Sequence, residues 1–319
     1  MGTEIIFKKT NHLSTLEKSQ IRGLFKCVFK KEMVDSTFER QFLKSCLGYS
    51  YHGLLRHAGE IVGSFSAIPY RYRYFGKELT FALSVGTMIA QEHRGGKDNL
   101  KKMAESVYGA MIDDGIPLIY GFPNELYYNH EKRVLGTKDI GRLDYYVLPL
   151  NIGNVIQKLK LFNFFSRFGS KIIIGRLRKP QKVKCKFNID KVSDETFERH
   201  RYDDSYHVIE LDNGAKCTYK TYDEVHDARI LYLIDVLPLN PDSFEEAIKR
   251  IYKAEAKSTD VIMYVGKLPF NPRNLVKAPR FMEPQKIRMT GKILIPELVD
   301  DSVFEIGNWN VNISNFDVR

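Results

Sequence analysis

The chain of 319 residues is 43% hydrophobic and 12% aromatic, enough apolar material for one large core or two ordinary ones and too much for wholesale disorder. Its formal net charge is +10, but the excess is local. Between Asp144 and Asp190 there is no acidic residue, while Lys158, Lys160, Arg167, Lys171, Arg176, Arg178, Lys179, Lys182, Lys184 and Lys186 all fall there.

Because the remainder is neutral in sum, a nucleic-acid reading shrinks to one patch, and no nucleic-acid partner is expected. The same stretch contains "LFNFFSRFGSKIII", so peripheral membrane contact through residues 158–186 stands beside the plainer expectation of a solvated connector with apolar anchors. No run of about 18 uncharged apolar residues occurs, so the expectation is a soluble cytoplasmic protein. Cys27, Cys46, Cys185 and Cys217 lie far apart, with neither a C-x-x-C pair nor a His at ligand spacing. They read as reduced, mostly buried thiols rather than a metal site or a disulfide framework.

In chain order, "EIIFKK" predicts a strand, and amphipathic helices follow around Ser19–Lys30 and Ser36–Cys46. Residues 51–90 predict antiparallel strands turning at Ala58-Gly59 and at Phe75-Gly76-Lys77. Along the second of these, Arg71 and Arg73 alternate with Tyr72 and Tyr74, giving one face two arginines and the other two tyrosines, a surface for a nucleotide diphosphate and its base or simply an exposed hairpin. Next comes "HRGGKDNL" and a helix with Leu100, Met103, Ala104, Val107, Tyr108 and Met111 on its apolar stripe, Asp98 as its cap and Gly115 at its end. "PLIYGF" predicts a strand, "NELYYNHEKRVLG" a helix ending at Gly136, and "RLDYYVLPL" a strand closing the same domain.

The second half repeats the strand, turn, helix, strand pattern over "ARILYLIDVLPLNPDSFEEAIKRIYKAEAKSTDVIMYVG", with Ser243 and Glu246 as a capping box. Met88 lies 31 residues before Ile119 and Leu233 lies 30 before Met263, so the two units read as equal in length and as a degenerate duplication. The expected organisation is residues 1–150, a basic connector 151–186, and a second domain 187–319.

The glycines of "HRGGKDNL" carry the functional reading. A strand entering a helix through small residues exposes backbone N–H groups at the positive end of the helix dipole, where phosphate oxygens bind. Gly95 and Gly96 permit positive φ and close approach, while Arg94 and Lys97 add charge. Walker spacing and G-x-G-x-x-G are both absent, which sets aside P-loop and Rossmann readings.

This order of elements, the "HRGGKDNLKKM" turn and the following "LIYGFPN" and "LG" resemble the GNAT superfamily of CoA-dependent N-acyltransferases, over roughly Glu4 to Leu150. Counting from Arg94, the superfamily's two glycine positions hold Lys97 and Asn99; Asn tolerates a left-handed backbone. The resemblance implies a GNAT-like α/β fold, a mixed sheet with flanking helices in two tandem copies, the second degenerate, and coenzyme A or acyl-CoA as donor without a metal. It implies that Thr87, Met88 and Ile89 offer backbone groups to pantetheine, with an amide such as that of Met88 polarising the thioester, and that Arg94, Gly95, Gly96, Lys97, Asp98 and Asn99 hold the pyrophosphate. Asn124 is a further pantetheine candidate.

The superfamily's usual Tyr falls at Lys132 here, so Tyr127, Tyr128 and His130 are the acid-base candidates, and His93 a phosphate candidate. The second copy, with Pro238 and Pro241 where the first has glycines, is expected to complete an acceptor cleft rather than bind phosphate. The architecture further resembles the two-domain nucleotide-sugar N-acyltransferases, implying a monomer that acylates a nucleotide-linked, dTDP-type aminodeoxy sugar for surface polysaccharide synthesis. Two alternatives are an aminoacyl-tRNA-dependent FemAB-like transferase and a catalytically inactive GNAT-fold module at a membrane surface.

Overall fold

The computed structural model describes residues 2–95, 98–155, 163–175, 183, 185–223 and 228–316. In chain order it runs β1 (Thr3–Lys9), α1 (Thr15–Phe29), α2 (Asp35–Leu43), β2 (Tyr51–His57), β3 (Glu60–Tyr74), β4 (Lys77–Ile89), α3 (Asn99–Asp113), β5 (Leu118–Gly121), α4 (Glu125–Leu135), β6 (Lys138–Arg142), β7 (Asp144–Pro149), α5 (Ile152–Val155) and α6 (Asn163–Gly175). It continues through β8 (Ile189–Lys191), α7 (Glu195–Arg201), β9 (His207–Glu210), β10 (Lys216–Asp223), β11 (Arg229–Leu237), α8 (Pro241–Glu255), β12 (Val261–Gly266), β13 (Val276–Lys277), β14 (Arg288–Ile293) and β15 (Trp309–Asn310).

Two compact units result, and neither is a continuous stretch of chain. One comprises residues 1–142, 188–202 and 287–309, the other 143–187, 203–286 and 310–319. Strands are therefore exchanged. The "RLDYYVLPL" stretch supplies β7 to the second sheet, against β12, while β14 from late in the chain inserts between β5 and β6 of the first. The division expected at Leu150 thus falls inside the second unit.

The first sheet has the order β1-β2-β3-β4-β5-β14-β6, antiparallel throughout except for the parallel β4/β5 pair. Helix α3 forms its crossover and buries Leu100, Met103, Ala104, Val107, Tyr108 and Met111, the predicted stripe. It presses directly on β2: a Cβ at Gly53 would lie 2.2 Å from the Met103 carbonyl oxygen. Helix α1 begins four residues before the predicted start, because Ser14 and Glu17 form a reciprocal capping box.

The tyrosine face of β3 is core. Tyr72 is fully buried among Phe81, Tyr120 and Trp309, its hydroxyl donating to that of Tyr120 at 2.8 Å, and Tyr74 donates to Asp300 at 2.9 Å. On the other face Arg71 is paired with Asp194 and Glu78. Stacking and charge pairing within the fold thus displace the nucleotide-binding reading of this hairpin.

The second sheet has the order β13-β7-β12-β11-β10-β9, and again one parallel pair, β11/β12, is joined by a helix, α8. That helix is capped by Asn240, which accepts from Ser243 N–H, with Pro241 in its first turn; the expected Ser243 and Glu246 box does not form because Ser243 is already helical. The two crossovers differ in length. Ala82 pairs with Ile119, 37 residues on, whereas Ile230 pairs with Val261, 31 on. The difference lies between strand and helix, where the first unit places the "HRGGKDNL" turn. Of the cysteines, Cys27 and Cys185 are exposed, Cys46 half-buried and Cys217 buried, so the expectation of mostly buried thiols holds only for the latter pair.

Behind β3 lies a buried polar relay. His52 on β2 contacts Thr10 Oγ1 at 2.8 Å through Nε2 and Ser66 Oγ at 2.9 Å through Nδ1, packed against Phe38 and Phe42. Burial pushes its pKa down to about 3. An unfolded His titrates near 6.5, so between about pH 6.5 and 3 the unfolded chain binds the extra proton and folding stability falls as pH falls. His52→Gln should therefore show a shallower loss of the urea midpoint from pH 7 to pH 5 than the native chain. Parallel slopes would rule out a neutral, buried His52.

Candidate acyl-donor site

The site arises where two parallel strands part. β4 and β5 pair at Ala82–Ile119, Leu83–Tyr120 and Ser84–Gly121 only, although β4 runs on to Ile89. On its other side β4 stays paired with β3, through a bulge in which Gly86 and Thr87 both oppose Phe65, Gly86 taking φ +60. Beyond the bulge, Ala90 N–H donates to Val62 O at 2.8 Å. Since backbone direction alternates along an antiparallel strand, Met88 then turns its N–H and C=O to Ser64, and Ile89 turns both to the open edge. Arg94 confirms this polarity, its Nε donating to Ile89 O at 2.9 Å.

Of the three strand residues expected to serve pantetheine, Ile89 thus presents a backbone N–H toward the gap, and Thr87 sits on the half-exposed bulge. Met88 does neither, because its side chain is 5% exposed and its backbone belongs to the β3 pair. The bulge that separates these roles has only Gly86 as its signal in the sequence.

After Ile89 the chain makes a short 3-10 turn at Gln91–His93, and Gly95 takes φ +87. Gly96 and Lys97 lie outside the described residues. Asp98 is left-handed at φ +67 and makes no side-chain capping bond, so it is not the expected cap, and Asn99 is the first helical residue rather than a left-handed one. The first turn of α3 contains no acidic residue and carries Lys101 and Lys102. Among the described residues its N-terminal amides have no side-chain cap, and they stand at the positive end of a 15-residue dipole with the exposed Asp98 just before them. The His93 ring lies 4.8 Å from that of His57, the two planes tilted by 48°.

Helix α4 closes the other side. Asn124 is its N-cap, the side-chain oxygen accepting from Tyr127 N–H at 2.9 Å, which gives it a structural task in place of the expected pantetheine bond. Tyr128 is drawn to β6, donating to Asp139 at 2.6 Å beneath the Arg288 guanidinium 4.2 Å from its ring. His130 is exposed and accepts from Arg133 at 3.3 Å.

Tyr127 alone of the three turns toward the gap. Its hydroxyl is sealed from solvent and makes no hydrogen bond of ordinary geometry, yet lies close enough to Thr87 for that side chain to favour its ionised form. Burial and the neighbouring Glu131 outweigh this and hold its pKa well above the usual phenol range.

Glu131, one turn on, is the residue the sequence reading missed. It is 6% exposed, accepts from Thr290 Oγ1 at 2.8 Å, and lines a small cavity with Ser84, Gly121, Tyr108 and Thr137 directly below the point of divergence. Burial raises its pKa above the usual carboxylate range. The signal was its spacing of four from both Tyr127 and Leu135, which puts a carboxylate on the inward face of α4.

Residues 10–131 match the family model of the acetyltransferase (GNAT) domain. Similar solved structures extend over both units: a probable N-acyltransferase of Enterococcus faecalis V583 (TM-score 0.57, 13% identity, covering 92% of this chain and 73% of that one) and a GCN5-related N-acetyltransferase of Anabaena variabilis ATCC 29413 (0.58, 12%, 91% and 73%). Saccharomyces cerevisiae N-myristoyltransferase with bound myristoyl-CoA is a third (0.51, 13%, 90% and 78%). No curated protein matches the sequence. The chain therefore has a GNAT-like mixed α/β fold, and its N-terminal part matches the acetyltransferase domain. No group of metal-binding side chains occurs among the described residues, and no helix there is long and apolar enough to cross a membrane.

A buried carboxyl whose folded pKa exceeds its unfolded value stabilises the fold fully only below that unfolded value, near 4.3, and loses this contribution as pH rises through the folded one. Glu131→Gln keeps the shape and an acceptor for Thr290 but cannot ionise. The variant should gain thermal stability relative to the native chain as pH rises from 4.5 toward 8; a constant difference across that range would show that Glu131 is not held in its neutral form.

Proposed function

We propose that this chain is a CoA-dependent N-acyltransferase that moves an acyl group from acyl-CoA to an amine by direct attack on the thioester. The observation that carries the proposal is the open edge of β4 beyond Ser84, followed by an α3 N-terminus that has no side-chain cap among the described residues and no acid in its first turn. Together they offer a strand-like seat for pantetheine and an anion seat for the pyrophosphate. Arg94, already fixed by its bond to Ile89 O, adds positive charge to that turn.

The reaction forms a C–N bond and breaks a C–S bond. The Ile89 N–H points where it would hold the carbonyl oxygen as negative charge develops there. Tyr127, kept protonated by its surroundings, would return a proton to the departing sulfur. The amine passes its own proton to water and the Tyr127 phenolate is reprotonated from solvent, so the products are the amide and the CoA thiol with Tyr127 restored. A thioester is already activated, so positioning contributes much of the rate.

For the acceptor, the nucleotide-linked aminodeoxy sugar draws support from the presence of two sheets with like crossovers, but it loses the Tyr72 and Tyr74 face as a base platform. An amine acceptor rests on the likeness to the acetyltransferase (GNAT) domain. The tRNA-dependent alternative has no such support, since the uncapped α3 N-terminus suits a diphosphate that aminoacyl transfer does not supply.

CoA should raise the unfolding temperature at concentrations well above its dissociation constant, and Arg94→Ala should weaken CoA binding about tenfold, as expected for loss of a charge-assisted contact. No thermal shift at saturating CoA would remove the donor assignment. Given a working acceptor, Tyr127→Phe should lower kcat about 100-fold with KM nearly unchanged, in line with loss of a general acid. An unaltered kcat would take the proton-donor role from Tyr127.

A further inference from the structure

We infer that the outward face of α6 seats in the interface of an anionic lipid surface. The helix carries apolar side chains on its outward face as well as on its inward one. Ser170 is buried at 2% exposure, and Ser166 points back to donate to Leu150 O at 2.8 Å, while Ile173 and Ile174 pack only partly against the second unit's core. On the opposite side Phe168 is 59% exposed and Ile172, one turn on, 39% exposed, with Lys171 exposed beside them. A helix that served only to cover this unit would bury the phenylalanine and show the serines.

Charge identifies the partner. The stretch from Tyr145 to Ile189 contains ten lysines and arginines and no carboxylate. Phe168 and Ile172 thus project from the most one-signed segment of the chain. An apolar pair beside the exposed Lys171, in a segment whose charged residues are all cationic, matches the boundary of a bilayer rich in acidic phospholipid, where the ring and the isoleucine enter the acyl region and Lys171 stays among the headgroups. Each cation held near such a surface strengthens partitioning about fivefold. With Ser166 and Ser170 turned to the second unit and Phe168 and Ile172 turned outward, α6 would meet the surface side-on. A nucleic acid would satisfy the charge but give the aliphatic Ile172 nothing to contact.

The test uses the full chain and vesicles of phosphatidylcholine with and without phosphatidylglycerol. Sedimentation with the acidic vesicles, its loss in pure phosphatidylcholine, and weakening by salt are expected. Phe168→Glu with Ile172→Glu should reduce the bound fraction at least about tenfold. Because both side chains are exposed, the double variant should unfold at the native temperature.

Phe168→Trp supplies a second readout. Its emission should shift to the blue when acidic vesicles are added, over the constant background of the fully buried Trp309. Equal binding by the double variant, or no blue shift, would overturn the inference. Tighter binding to an RNA homopolymer than to acidic vesicles would overturn it in favour of nucleic acid. CoA binding is measured separately, so failure here leaves the donor assignment untouched.

Discussion

A strand whose neighbour leaves it halfway must satisfy its backbone polar groups by other means, and both sheets of this chain contain such a strand. In the second unit β11 and β12 stop pairing at Leu233–Tyr264, although both strands continue. The chain's own C-terminal segment enters there. Asn312 bridges to Gly266, Val311 O accepts from Lys267 N–H at 2.8 Å, and Asn312 and Ser314 donate to Asp235 at 3.0 and 3.3 Å. In the first unit, among the described residues, the matching gap beside Ile89 has the Arg94 side chain on one carbonyl. One gap is filled by the chain's own backbone, while the other leaves β4 without a strand partner on that side.

The difference in crossover length follows the same division. Six additional residues separate strand partners in the first unit, and they build a turn with Gly95 and Asp98 in the left-handed region and lysines at the start of α3. In the second unit β11 passes almost directly into α8, whose start is sealed by Asn240 and Pro241. The start of α8 has its amides satisfied by a cap, whereas the start of α3 has no side-chain cap among the described residues. Local sequence at two helix starts thus separates the two like crossovers.

Much of the first unit was legible because its signals are local. The strand turns at Ala58-Gly59 and Phe75-Gly76 and the stripe of α3 appear as read, since positive-φ turns and a 3.6-residue period leave marks within a few residues. What was not legible is non-local. Nothing within "RLDYYVLPL" says that β7 will pair with β12 more than a hundred residues later, nor that β14 will separate β5 from β6. At the site, Arg94 and Gly95 could be read from the turn. Choosing among Tyr127, Tyr128 and His130 required Thr87 on one side and Asp139 on the other, both fixed by tertiary placement. Glu131 was overlooked because a single carboxylate in a charged helix looks solvated until its face is known.

The inward face of α4 also constrains the chemistry. Tyr127 and Glu131 lie one turn apart: burial opposes both ionised forms, and the Glu131 carboxylate opposes the Tyr127 phenolate directly. A phenol so placed is a proton donor and a poor base. The proton that the attacking amine must lose therefore has no acceptor in Tyr127, and Tyr128 and His130 are turned elsewhere. In the reaction proposed above, the amine would arrive neutral and pass the proton it sheds to water, so that ionisation of the acceptor would set the low-pH boundary.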